Sequence, residues 1–185
     1  MSILNAITAG AGGVALSGDT SGNLTIQSAG TNVATFNSTG LVMPSGTYMY
    51  APGSVVQVVG ATYSTQQSTS SNTFANSGLT TSITPKFSTS KIFILASFMA
   101  YVTSNKNLKT TITRGSTNLG DATYGMGTVY CSAAGIQGGF AISYLDSPAT
   151  TSSTTYSLAY ATENGPSYLF FNGEKASITL MEIAA

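Results

Sequence analysis

Histidine and tryptophan are missing from this 185-residue sequence, cysteine occurs once, as Cys131, and charge is scarce. Six Lys/Arg stand against six Asp/Glu, so 6% of residues are charged, where about 25% is ordinary for a globular domain. Each shortage excludes a class of function. Six scattered cations at zero net charge cannot follow a phosphate backbone, so no nucleic-acid partner is expected. One cysteine forms no intrachain disulfide framework and no Cys-based zinc site. Without histidine the commonest general base and the commonest metal ligand are gone. No metal or other cofactor is expected.

Long hydrophobic runs are also lacking. The longest, IFILASFMAYV over 92–102, is about half of what a bilayer-spanning helix needs and reads as a strand buried on both faces. The opening MSILNAITAGAGGVALSG carries no basic segment, as a secretory signal would. A soluble protein without membrane insertion is expected.

What is present is Ser and Thr, 54 residues together, with 20 Gly. Composition changes near residue 52. Residues 1–52 contain a single charge, Asp19, and short stretches, LTIQS (24–28), VATFN (33–37), LVM (41–43) and TYMY (47–50), divided by Gly and Asn turn residues. One copy has too few apolar side chains here to close a core. Disordered tails stay soluble through charge, which this segment lacks, so burial against other chains is the better expectation. Fully extended, it would reach about 170 Å at ~3.3 Å per residue, beyond a domain with a radius of gyration of about 14 Å. The expectation is an extended N-terminal β arm or shaft.

Residues 53–185 read as one domain. Strands are predicted at 54–63, 79–84, 91–103, 108–114, 137–145, 154–162, 167–171 and 176–183, all rich in Val, Ile, Thr, Tyr and Phe. SLAYA (157–161) alternates, so one of its faces should meet solvent or a neighbour. Asn172-Gly173 lies between two such runs and fits a tight hairpin turn, and Arg114-Gly115-Ser116 closes a hairpin onto TNLG. No helical period with caps is found. The fold class is all-β, a jelly-roll-like β-sandwich behind the arm.

Only carboxylates are available for acid–base chemistry. A glycosidase needs two of them about 5–9 Å apart, and Asp146 with Glu163 is the conceivable pair; a turn cap and a solvated loop are the plainer roles. Cys131 has no histidine to activate it and fits a small buried hydrophobe. The clusters GAGG (10–13) and GMG (125–127) lack the Lys-Ser/Thr of a phosphate loop. NLT (23–25) and NST (37–39) match the glycosylation pattern by chance in so Thr-rich a chain. Tyr63, Tyr101, Tyr144, Tyr156 and Tyr160 fall on predicted strands as core or interface residues. Tyr124 and Tyr130 fall in the glycine-rich segment 115–136, predicted to be loop, where a ring beside Asn and Ser can stack on a sugar or simply pack.

The pieces GSVVQVV (53–59), FANSGLTTSITPKFSTSKIFILASF (74–98), TITRGSTNLG (111–120), YLDSPATTSSTTYSLAY (144–160) and ASITLMEIAA (176–185) resemble a module of tail-fibre and other virion structural proteins of tailed bacteriophages. SGDTSGNLTIQSAGTNVATFNSTGLVMPSG (17–46) resembles the short repeats that precede it. The resemblance implies a homotrimer on the virion surface, with an attachment segment over 1–52 and an exposed domain over 53–185. Its partners would be other virion proteins, of the tail or baseplate or the major capsid protein, and a host surface glycan or protein. Candidate anchoring residues are then Ile3, Leu4, Ile7, Val14 and Leu16, and candidate receptor contacts are Tyr124, Tyr130, Asn105, Asn107 and Asn164. Fibres with this module often have much longer shafts, so a short fibre is expected. The alternatives are a capsid decoration or cement protein and, more remotely, a polysaccharide-degrading spike.

Overall fold

The computed structural model describes residues 22–44, 51–163 and 165–185 of a chain that divides into two units, Met1–Met49 and Tyr50–Ala185. The candidate anchoring residues Ile3, Leu4, Ile7, Val14 and Leu16 and the TYMY stretch lie outside the described residues, as does Asn164.

In the first unit, β1 (Leu24–Ser28), β2 (Thr31–Asn37) and β3 (Gly40–Val42) form an antiparallel meander. Ala29 and Gly30, at φ 48° and 78°, make the two-residue turn whose twist suits a hairpin. The second turn is held by Asn37, whose Oδ1 accepts the Thr39 N–H (2.9 Å) and hydroxyl (2.6 Å). This part of the expected extended arm therefore doubles back twice, because the turn residues that punctuate it bring successive strands into register. Leu24, Ile26, Ala34, Phe36 and Leu41 share one face through the pairings Leu24 to Phe36, Ile26 to Ala34 and Phe36 to Leu41. Ile26, Phe36 and Leu41 are all more than two-fifths exposed, so among the described residues nothing covers that face.

The second unit is all-β, with two further antiparallel sheets. One orders β10 (Gly127–Cys131), β8 (Lys106–Arg114), β12 (Thr154–Glu163) and β6 (Ala75–Ile83), with the short β9 (Thr117–Asn118) on β8. In the other, β7 (Lys91–Val102) is central. Along one side of β7 runs β11 (Ile136–Asp146); along the other come β14 (Ala176–Ile183) and then β4 (Val55–Tyr63), with β13 (Ser167–Leu169) and β5 (Gln67–Thr69) further along. Leu79, Ile112, Tyr156 and Leu158 of the first sheet and Ile92, Ile94, Phe98, Ile178 and Leu180 of the second belong to one buried cluster, a sandwich core. Cys131 is buried in it as a small hydrophobe.

Four sequence expectations change. The run over 92–102 buries one face only: Ile92, Ile94, Ala96, Phe98, Ala100 and Val102 point inward, while Phe93, Leu95, Met99 and Tyr101 alternate on a face that stays partly open. Conversely β12 is buried on both faces from Tyr156 to Thr162; at its edge Thr162 N–H donates to Ser71 O (2.8 Å), and on its outer face Asn76 Nδ2 donates to Ser157 Oγ (3.2 Å). Asn172-Gly173 is no hairpin turn. β13 and β14 both pair with the same side of β7, and the chain between them makes an excursion through a 3-10 turn at Phe171–Gly173. Finally, the segment 115–136 is not all loop, since it contains β9 and β10.

Candidate receptor-contact patch

β8 lies between β10 and β12, so its outward residues meet outward residues of both neighbours. Asn107 is registered with Tyr130 on β10 and with Glu163 on β12, a row across three adjacent strands. Two positions along β8 on the same face is Lys109, registered with Thr128 and Ala161. A lysine on the outer face of a sheet would ordinarily reach solvent, yet Lys109 is fully enclosed. Its Nζ donates to Glu163 Oε1 and to Asn72 Oδ1 (3.0 Å), and it sits 5.3 Å from the centroid of the Tyr124 ring. Glu163 Oε2 accepts from Asn107 Nδ2 at 3.1 Å, and the Glu163 side chain is 35% exposed. Asn107 Oδ1 is enclosed and has no partner among the described residues. The ammonium and carboxylate compensate each other where neither is fully hydrated, which is the condition for tolerating a covered charge.

Tyr124 is placed over Lys109 by a short, tightly bonded loop. Asp121 Oδ1 accepts the backbone N–H groups of Thr123 and Tyr124, both at 2.8 Å, and these bonds hold the exposed Asp121 carboxyl below its ordinary pKa. Asp121 and Gly125 exchange backbone hydrogen bonds at 3.0 Å in both directions. Gly125 has φ 71°, and a Cβ there would stand 2.4 Å from Thr110 O and 2.9 Å from Phe74 Cζ, so glycine is required. This gives the GMG cluster a structural role. Tyr124 remains 61% exposed and Tyr130 60% exposed.

Of the candidate contacts, the fold thus brings Tyr124, Tyr130 and Asn107 into one patch. Tyr130 stands there on strand β10 and not in a loop. Asn105 occupies the turn before β8 at φ 57° and donates from Nδ2 to Ser104 Oγ (3.3 Å). Lys109, Glu163 as its partner, and Asn72 belong to the patch and were not singled out as contacts from sequence. The only hint was a lysine flanked by Leu108 and Thr110 inside a strand, where alternation gives its face but not its cover.

The carboxylates Asp146 and Glu163 do not form a catalytic pair. Asp146 is buried on the second sheet, where it accepts from Arg114 Nη1 (2.9 and 2.8 Å) and from the Tyr156 hydroxyl (2.7 Å). Burial, then the hydrogen bond to Asp146 and its charge, pushes the Tyr156 hydroxyl far above its usual pKa. Tyr156 and Glu163 are seven residues apart on β12, roughly 23 Å of strand, which sets Asp146 and Glu163 near opposite ends of the sandwich. Among the described residues no three His, Cys, Asp or Glu side chains converge as metal ligands would. Compared with known proteins, the chain matches no family model and no curated sequence.

Proposed function

We propose that this chain is a non-enzymatic virion structural protein of a tailed bacteriophage: a short trimeric fibre, attached through its N-terminal segment and presenting the C-terminal β unit to the host. The observation that carries the reading is the apolar face of β1–β3, which no described residue covers and where Ile26, Phe36 and Leu41 are more than two-fifths exposed. A three-stranded sheet with one hydrophobic face needs that face covered to be stable, and two further copies supply the same residues under threefold symmetry.

The second unit adds two features of the same kind. On its outer face, Val58, Met181, Phe93 and Leu145 form an apolar row across four strands, with Val58 and Leu145 about half exposed. β11 pairs with β7 along all its eleven residues, and among the described residues its other edge has no partner. Natural edge strands are blunted by lysine, proline or bulges, and Ile136–Leu145 has none of these. These surfaces suit a protein that works assembled.

The test is to label purified particles of the encoding phage with antibody raised against this chain and to view them by immunogold electron microscopy. Gold on particle projections is expected. Particles that carry no label, while lysates of infected cells contain the protein, contradict the reading.

A further inference from the structure

We infer that the outer face of β8 and its neighbours, from Tyr130 across Asn107 to Glu163 with Tyr124 alongside, binds a neutral oligosaccharide. This rests on the proposal that the C-terminal unit faces the host, and it names the class of ligand.

The argument begins with the two tyrosines. Both residues are about three-fifths exposed, yet both stand on constrained backbone: Tyr130 in the β10–β8 ladder, Tyr124 in the loop closed by Asp121 and Gly125. A tyrosine has few rotamers to lose, so a ring fixed in this way offers a flat apolar surface at small entropic cost. The C–H faces of a pyranose are the natural complement of such a surface, and the ring hydroxyls need acceptors beside it.

Glu163 supplies them. Its two oxygens each spend one lone pair, on Lys109 and on Asn107, and keep capacity for ligand hydroxyls at an exposed edge. Because Lys109 and Asn107 fix the carboxylate, little further ordering is needed on binding. Neighbouring strands are about 4.8 Å apart, so Tyr130 and Glu163 are about 10 Å apart across the row, wide enough for more than one sugar ring.

Charge decides between neutral and acidic sugars. Lys109, the cation of the patch, is enclosed and committed to Glu163 and Asn72, with Tyr124 over it. On this face an acidic sugar would meet the Glu163 carboxylate with Lys109 already committed, while the half-buried Lys106 before Asn107 holds its Nζ beside Gly165.

The experiment uses the purified full chain on a microbial glycan array holding neutral and acidic glycans, with hits titrated by calorimetry. Binding to neutral glycans is expected, weakened about tenfold in each of Tyr124→Ala and Tyr130→Ala, as loss of a stacked ring implies. Glu163→Gln should weaken binding without shifting it to acidic glycans. Thermal unfolding of each variant checks that its fold is intact. No binding, binding to acidic glycans only, or binding unchanged in both tyrosine variants would overturn the inference. Particle labelling is read independently: labelled virions without glycan binding remove only this inference, and glycan binding by a chain not found on particles removes only the fibre.

Discussion

Glu182 is the most demanding residue in the sandwich, a carboxylate on β14 that is wholly enclosed. Burial pushes its pKa up, but the hydrogen bonds from Gln57 Nε2 (2.6 Å) and the backbone N–H groups of Lys86 (2.7 Å) and Phe87 (3.2 Å) outweigh it. The net pKa lies below the ordinary 4.5. A carboxyl depressed on folding stabilises the protein above its unfolded pKa, and that contribution is lost as pH falls through the folded value. Glu182→Gln should therefore cost about 2 kcal/mol at pH 7, read by urea unfolding, and the gap from the native chain should close as pH drops below about 4. A gap that stays constant with pH would show that Glu182 is not held ionised. From sequence Glu182 was one of six scattered carboxylates, because its donors come from β4 and the 84–90 loop, far away along the chain. The same reason hides the Lys109–Glu163 pair. Tyr124, Tyr130 and Asn107 could be named as candidates because residue type and local composition, unlike partnership, are written in the sequence.

Among elements, periodicity located the strands and misjudged their cover. All eight strands predicted in 53–185 exist, with ends mostly within two residues, because Val, Ile, Thr and aromatic residues suit a pleated surface wherever it packs. What lies over an outer face is a tertiary fact. Ser157, Ala159 and Ala161 look like a solvent face but are buried, while Phe93, Leu95 and Met99 look like a core face and are left partly open. β10 went unseen because its five residues, GTVYC, sit among glycines that ordinarily signal loop. The Asn172-Gly173 excursion shows the converse, since a hairpin dipeptide also serves where a strand pauses and resumes in the same direction. The loop that carries Tyr124 depends on Gly125. Gly125→Ala should lower stability by at least about 1–2 kcal/mol, since it forces a Cβ into a left-handed conformation and against Thr110 O. An unchanged urea midpoint would mean that the loop is less tightly bound than its hydrogen bonds imply.

The whole molecule is described by what one copy leaves uncovered. With so few charges, its solubility as a monomer would have to come from Ser and Thr hydroxyls, while Phe36, Leu41, Val58 and Leu145 stand in water. In the proposed trimer, association would remove that apolar area from solvent at about 25 cal/mol per Å² and would cover an edge whose residues 136–145 carry no charge to keep other strands away. The central claim is thus that the folded unit of function is a closed trimer. The most direct measurement is the solution mass of the full chain by light scattering on a sizing column, alongside Phe36→Asp. With 18.9 kDa per chain, the native protein should elute at about 57 kDa, and the variant should shift toward the single-chain mass. A well-folded native chain at 18.9 kDa across micromolar concentrations would contradict the account.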